Sequence, residues 1–92
     1  MTTFTLNDVI TLKLTSGDEL IARFADQTVE TITVSKVMTF MMGPQGLGLV
    51  PFIFSAAETD KITLPLSSVL VALKTDKSVA TQYQKQTSSL VI

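Results

Sequence analysis

Two runs of alternating apolar and polar residues, joined by a tight turn, constrain this fold more than any other part of the sequence. In Val9–Leu14 the apolar residues Ile10, Leu12 and Leu14 share one face, opposite Thr11 and Lys13. Glu19–Ala25 places Leu20, Ala22 and Phe24 on one face. The period of two residues is typical of strands with one buried face. Between them, residues 15–18 (Thr-Ser-Gly-Asp) include a glycine that can adopt positive φ. The pattern predicts an antiparallel hairpin.

More β-prone segments follow the hairpin, each ended by a turn signal. They are Val29–Met42, Leu47–Phe54, Lys61–Leu66 and Val69–Leu73. Asp76 can cap a helix over Lys77–Gln86. For Leu90–Ile92 three alternatives stay open: an added strand, docking on a neighbour, or a frayed end. Short sequential strands predict one mostly β domain over residues 1–92: a strongly bent antiparallel barrel of five to six strands with a short C-terminal helix.

The two ends of the chain are assigned to segments outside the barrel. Residues 1–8 form an N-terminal segment in which Phe4, Leu6 and Val9 are compatible with a short helical turn, and residues 74–92 form the helix and tail.

Two central segments, the later part of Val29–Met42 and all of Leu47–Phe54, are apolar on both faces. In Val29–Met42 the residues Met38, Phe40 and Met42 share one face, while Val37 and Met41 make the other face apolar. A strand of this kind is buried on both sides, by its own chain or by a neighbour. The methionine-containing face is therefore core or subunit interface, with an adaptable binding surface as the alternative.

The composition predicts self-association. Hydrophobic residues make up 46% of the 92 residues and charged residues 16%, against roughly 25% charged in ordinary globular chains. A domain this small buries only ~60–65% of its unfolded surface, so it cannot easily hide so many apolar side chains. A partner surface is the expected cover, and a second copy is the simplest partner.

A membrane location is not predicted. The most apolar stretch, residues 47–57, is about half the ~20 residues of a spanning helix, and Gly48 and Pro51 interrupt it. No Lys or Arg precedes Lys13, so an export signal is not recognised either. We expect a cytoplasmic protein.

The sequence offers little for catalysis. Histidine and cysteine, the residues most often used as bases and nucleophiles, are absent. Ser35 and Lys36 are adjacent on a strand and point to opposite faces, so they cannot cooperate. Acidic residues cluster only in predicted turns, at residues 18–19 and 58–60. We therefore expect no enzyme, no cofactor and no metal site; a pocket joining one of these acids to a lysine would reverse that expectation.

Two motifs resemble the Sm/LSm family. VITLKLTSGDELIARFAD, residues 9–26, is similar to the first motif: a strand, a turn ending in glycine, and a second strand with a small residue, here Ala22, five positions later. ITLPLSSVLVAL, residues 62–73, is similar to the second motif, with Ser67-Ser68 at the break. The Arg-Gly or histidine residues of the family are missing at that break. The sequence has a GxxLGLVPF-like centre after a β run and a Tyr-containing, Ser-rich tail. By these features the whole chain also resembles small proteins of T4-type phages that infect cyanobacteria.

The resemblance implies a homo-oligomeric ring of about five to seven subunits that binds single-stranded RNA in its pore. The residues that map onto the RNA site are Phe24, Asp26, Gln27, Ser67 and Ser68. The residues expected at the subunit interface are Leu64, Leu66, Val69, Val71, Met38, Phe40 and Phe52. Because the net charge is −1, a second hypothesis stays open: a non-enzymatic adaptor that has lost RNA binding and holds a protein partner. A phage-encoded chain would act in the host cytoplasm.

Overall fold

The computed structural model describes residues 4–44, 46–53 and 61–88. Six strands and one helix follow one another along this part of the chain: β1 Val9–Leu14, β2 Glu19–Gln27, β3 Thr31–Gly43, β4 Gly46–Pro51, β5 Lys61–Pro65, β6 Val69–Lys74 and α1 Lys77–Ser88. A 3-10 helix, Leu66–Ser68, joins β5 to β6. The prediction of a mostly β domain with a C-terminal helix is confirmed. Phe54, the acidic residues 58–60 and Leu90–Ile92 lie outside the described residues.

The strands form one antiparallel sheet. Its order is β4-β3-β2-β1-β6, and β5 pairs with the other half of the same side of β3. β4 lies at the edge, which explains why Pro51 is accepted in it. β6 pairs with β1, so the sheet is open between β5 and β6. The predicted closed barrel is therefore not confirmed; what is present is a six-stranded sheet with two free edges facing this gap.

The inner face of the sheet carries the main core. The alternating apolar side chains predicted for β1 and β2 all point here, and Ile10, Leu12 and Ala22 are fully buried. This inner core also contains Phe4, Leu14, Leu20, Phe24, Ile32, Val34 and Val37. Burying apolar surface of this kind is the dominant favourable term in folding.

A bulge in β3 creates a second cluster on the opposite face. Between the pairs Ile21–Met38 and Arg23–Ser35, β2 advances by two residues and β3 by three, so β3 holds one extra residue. Lys36 occupies that position with φ of 51°. An extra residue shifts the alternation of side chains. Val37 therefore enters the inner core, while Met38 turns outward.

Helix α1 covers these outward side chains. Ile21, Met38, Leu49 and Tyr83 form the outer cluster, with Val9, Phe40 and Val79 packed against it. The Tyr83 hydroxyl donates to the Lys36 carbonyl at 2.6 Å. The predicted cap is confirmed, since the backbone N–H of Ser78 donates to the Asp76 carboxylate at 3.2 Å.

The N-terminal segment forms a turn and not a helix. The Asp8 N–H donates to the Thr5 carbonyl, and the Thr5 N–H donates to the Asp8 carboxylate. Phe4 packs in the inner core, whereas Leu6 is exposed. The prediction of a short helical turn in this segment is therefore wrong. Within residues 4–44, 46–53 and 61–88, no helix has the length and apolar character needed to cross a membrane.

Candidate functional site

The edge strand β6 exposes apolar side chains. Leu70, Val71 and Leu73 are 64%, 46% and 54% exposed. They belong to an unbroken apolar run, which would ordinarily be buried. Ala72 points the other way and packs against the inner core. Long apolar edge strands promote pairing with other chains, and soluble proteins usually protect them with charges or a cover. β6 is therefore the strongest candidate for an interaction site in the described structure.

The backbone of β6 is also available for pairing. The Thr75 N–H donates to the Val9 carbonyl at 3.1 Å, which fixes the phase of the ladder between β6 and β1. Because alternate residues face the partner in an antiparallel pair, Val71 and Leu73 bond toward β1. The N–H and C=O groups of Ala72 and Lys74 consequently point away from the sheet. They form a short row of donors and acceptors that an added strand can bind.

β5 presents the opposite edge of the gap. The Leu66 N–H donates to the Glu30 carbonyl at 2.8 Å, so Leu64 and Ile62 also bond toward β3. The backbone groups of Thr63 and Pro65 therefore face outward. Proline has no N–H to donate, and its place on a free edge leaves no ladder bond unmade. The outward edges of β5 and β6, on either side of the 3-10 helix, are thus both unpaired. The β5 edge lacks one N–H donor, at Pro65.

An apolar cleft lies where the sheet stays open. Its volume is about 380 Å³. Inner-core side chains form its floor and β6 forms its wall; the lining residues are Phe4, Gln27, Ile32, Leu66, Val69, Leu70, Val71 and Ala72. The inner core is therefore not fully covered by its own chain at this point. A side chain or strand from another molecule can complete it.

Two hairpin turns meet the 3-10 helix beside the cleft. The Leu66 N–H binds the Glu30 carbonyl from the β2–β3 turn, and the Thr15 N–H binds the Ser68 carbonyl from the β1–β2 turn, at 2.9 Å. The structure thereby brings the end of β2 close to the break between β5 and β6. These are the two parts of the chain that the family resemblance assigns to one RNA site.

The five residues mapped onto that site differ in exposure. Asp26 and Ser67 are exposed, while Gln27 and Ser68 are half-buried. Phe24 is 8% exposed and packs in the inner core, with its ring centroid 5.6 Å from that of Phe4. In this conformation Phe24 offers almost no surface on which a base can stack.

The residues expected at the subunit interface separate into three groups. Val71 is exposed on β6, whereas Leu64, Leu66, Val69 and Phe52 are half-buried against the inner core. Met38 is 2% exposed beneath α1, and Phe40 is packed against the same outer cluster. For Met38, core is therefore the correct alternative and interface is not, because the bulge at Lys36 turns it toward the helix.

Leu70 and Leu73 were missed as candidate interface residues. The apolar run on β6 was the available signal. Which of its residues stay exposed depends on the pairing with β1 and on a register shift near Leu14, and neither can be read from the sequence.

The charged groups around the site belong to local structure. Asp8 lies 3.9 Å from the Lys74 ammonium, and the backbone N–H of Thr5 lowers the pKa of this carboxyl. Asp18 accepts a hydrogen bond from the Ser16 hydroxyl within the β1–β2 turn. Among the described residues, no three acidic side chains gather in a way that can hold a metal ion. The open edge of β6 remains the candidate site.

Comparison with known proteins supports the fold alone. No protein-family model matches the sequence, and no curated protein sequence matches it. A chain in the crystal structure of the NatC complex bound to CoA is similar in structure, with a TM-score of 0.54 at 15% identity. The match covers 90% of this chain and 99% of that chain. The two chains are therefore of about the same length and share an open β architecture.

Proposed function

We propose that this chain is a ring-forming, homo-oligomeric Sm-like protein. The observation that carries the proposal is the pair of free edges: β6 exposes Leu70, Val71 and Leu73 on one side of the gap, and on the other side the edge of β5 that faces away from β3 is unpaired. When β6 of one copy pairs with β5 of the next, the open row of subunits keeps one free edge at each of its two ends until it closes. A closed ring leaves no β5 or β6 edge unpaired.

The chemistry of the two edges is compatible with this pairing. The outward backbone groups of Ala72 and Lys74 meet those of Thr63 and Lys61, and the donor missing at Pro65 falls at the end of the ladder. Exposed apolar side chains on β6 then lie over the neighbouring subunit, which also covers the cleft of about 380 Å³. The apolar surplus of the composition is accounted for in the same way.

The mass in solution tests the ring. Gel filtration with light scattering should give one species of about 50–70 kDa, from a monomer of 10.0 kDa. Placing lysines on the β6 edge, Val71→Lys with Leu73→Lys, should convert it to monomer, because a charge on an edge strand opposes pairing. Met42→Lys is the matched control, since Met42 is 73% exposed on the β3–β4 hairpin. A monomeric wild type, or equal effects of both variants, would refute the ring.

Single-stranded RNA is the proposed ligand of the turns around the 3-10 helix. Asp26, Gln27, Ser67 and Ser68 supply hydrogen-bonding groups there, and the ring would repeat them around a pore. Labelled oligo-U and oligo-A are titrated into the purified oligomer at low salt. Saturable binding that falls as salt is raised is the expected result. An oligomer that binds neither RNA fails this part of the proposal and keeps the ring.

A non-enzymatic adaptor is the second candidate function. It is favoured by the net charge of −1 and by the fact that the similar chain in the NatC structure is part of a complex. In this case β6 and the cleft take a strand of a different protein. We place the chain in the cytoplasm for either function, which is the host cytoplasm for a phage protein. A wild-type monomer that becomes a stable heteromer with a co-purified partner would favour the adaptor over the ring.

A further inference from the structure

A polar row crosses the outer face of the sheet from β2 to β5. Arg23 on β2 pairs with Ser35 on β3, and Ser35 pairs with Lys61 on β5. Paired residues point to the same face of a sheet. Their chain neighbours Phe24, Val34 and Ile62 pack in the inner core, so Arg23, Ser35 and Lys61 lie on the outer face. We call these three residues the polar row.

Arg23 is the most unusual member of the row. Its Nε atom is buried and has no hydrogen-bond partner among the described residues. In the same part of the chain Arg23 forms no ion pair; the one ion pair there joins Lys74 to Asp8. Buried polar groups are almost always hydrogen-bonded, and an unpaired one calls for a specific explanation. Arg23 is therefore a half-buried cation with no acceptor among the described residues, and an anion is the ligand that such a group can take.

The other two members of the row are placed to share that ligand. The ladder phase makes Ser35 and Lys61 a non-hydrogen-bonded pair, in which side chains approach most closely. Arg23 and Lys61 are two strands apart, roughly 10 Å between Cα atoms, and Ser35 lies between them. Both long side chains can therefore reach a group held above Ser35.

The paired residues next to the row contribute two hydroxyls and one carboxylate. The next pairing along the strands brings together Thr33, Thr63 and Asp26, and the two threonine hydroxyls are hydrogen-bonded to each other at 2.9 Å. Asp26 is exposed and forms no ion pair with Arg23 among the described residues. The row itself thus holds two cations, one hydroxyl and no carboxylate.

We propose that Arg23, Ser35 and Lys61 form a binding site for a phosphate group. The arginine fork supplies two parallel N–H donors to phosphate oxygens, a geometry that matches phosphate better than a point charge does. The serine hydroxyl donates a third bond, and the lysine neutralises the remaining charge. The site lies within one subunit and uses side chains on the outer face, whereas the proposed ring uses outward backbone groups of the β5 and β6 edges. It therefore goes beyond the proposed ring and does not depend on it.

The alternative is purely structural. An arginine stem often packs on apolar surface with its charged end in water, and Arg23 lies on the same face as the outer cluster. In that case the affinity of phosphate for Arg23 would be no higher than its affinity for other cationic side chains of the surface. The two explanations differ in whether binding saturates and in whether it needs all three residues.

The Nε–H signal of Arg23 in a two-dimensional nitrogen–proton NMR spectrum tests the site directly. Sodium phosphate is titrated against sodium chloride at constant ionic strength, and the signal is assigned by its loss in Arg23→Lys. A saturable shift with phosphate and none with chloride is expected. A shift that is linear in phosphate, or the same in both salts, would overturn the proposal.

Variants establish which residues hold the phosphate. Lys61→Gln and Arg23→Lys should each weaken binding about tenfold, the latter because the charge remains but the fork is lost. Asp26→Asn should tighten it, and Lys85→Gln, an exposed lysine on α1, should leave it unchanged. If Lys85→Gln weakens binding as much as Lys61→Gln, the attraction is nonspecific and the site is refuted.

A short oligo-U, titrated in the same way, separates two sources of phosphate. Saturation by both probes with a tighter oligo-U complex assigns the site to a nucleic-acid backbone; saturation by inorganic phosphate alone assigns it to a small phosphate. If neither probe saturates, there is no phosphate site. The ring proposal is unaffected by that result, because its readout is the mass of the protein.

Discussion

Two hydrophobic clusters lie on opposite sides of the same strands, and they are built in different ways. The inner core takes side chains from the N-terminal segment and from β1, β2 and β3, with residues of β5 and β6 packed against it, and Ile10, Leu12 and Ile32 in it are fully buried. The outer cluster has four buried members, and one of them, Tyr83, comes from helix α1. Without the helix, the other three would face solvent.

The difference lies in what each cluster requires of the chain. The inner core follows from simple alternation along β1 and β2, so many contacts far apart in sequence support it at once. The outer cluster requires that β3 change phase at Lys36 and that α1 then dock on Met38. The inner core should therefore decide whether the domain folds, and the outer cluster should decide whether the helix stays attached.

The largest effect is expected for Leu12→Ala. Leu12 is fully buried between neighbouring strands, and its truncation leaves a cavity that the sheet cannot close. We expect the free energy of unfolding to fall by about 3 kcal/mol, within the 2–5 kcal/mol usual for such changes. For a domain of this size that is a large share of the total stability. Urea denaturation followed by circular dichroism measures it.

Lys13→Ala is the control for that variant. Lys13 is the next residue on β1 and is exposed, so its replacement should change the free energy of unfolding by no more than about 0.5 kcal/mol. Equal losses for the two variants would mean that the alternation along β1 does not define the core.

A smaller and more local effect is expected for Tyr83→Ala. Removing this fully buried ring takes away the main contact of α1 with the sheet and the hydrogen bond to the Lys36 carbonyl. A free helix of 12 residues is marginal in water, so it should unfold once it is detached. We expect loss of the helical circular-dichroism signal near 222 nm while the sheet still unfolds cooperatively.

Tyr83→Phe separates packing from hydrogen bonding. It keeps the ring and removes only the hydroxyl, so the free energy of unfolding should fall by about 1 kcal/mol with the helix still attached. Gln82→Ala, at an exposed position of the same helix, should have no measurable effect. If Tyr83→Ala unfolds the whole domain as Leu12→Ala does, the two clusters are one cooperative unit and the contrast between them fails.

The same contrast shows how far the sequence can be interpreted. Alternation predicted β1 over its full range, and the apolar pattern with Asp76 predicted α1 to within two residues of its end. The phase change at Lys36 carried no signal, because lysine is not a residue that favours positive φ. For that reason the pattern did not indicate that Val37 enters the inner core while Met38 and Phe40 face the helix.

Lys36→Gly tests whether the bulge is a strained position. A lysine at φ of 51° is less favourable than a glycine, which adopts that conformation freely. We expect a gain of about 0.5–1 kcal/mol in the free energy of unfolding, measured by urea denaturation. Lys13→Gly, in the regular strand β1, should be destabilising by a similar amount. A loss at Lys36 as large as that at Lys13 would show that the lysine side chain stabilises the bulge.

The free edges illustrate a second limit of sequence interpretation. The apolar run of β6 and the surplus of hydrophobic residues both predicted a partner surface. Neither indicates that Leu70 and Leu73 stay exposed while Ala72 packs inward, because exposure depends on which strand pairs with β6 and in what register. Phe24 is the converse case: a motif match assigned it to a ligand, and its packing against Phe4 places it in the core.

The smallest effect is expected from pH, through the cap of helix α1. The hydroxyl and N–H of Ser78 bind the Asp76 carboxylate and lower its pKa below its ordinary value of 3.8. A group with a lowered pKa in the folded state stabilises that state above its unfolded pKa, and the contribution is lost as pH falls through the folded pKa. The helical signal should therefore be constant above about pH 5 and decrease below pH 4.

Because hydrogen bonds from Thr5 also lower the pKa of Asp8, the measurement is made in an Asp8→Asn background. Asp76→Asn in the same background should remove the decrease in helical signal and leave the sheet unchanged. A decrease that persists in the double variant would assign the acid sensitivity to another carboxylate, and would separate the stability of the outer cluster from its cap.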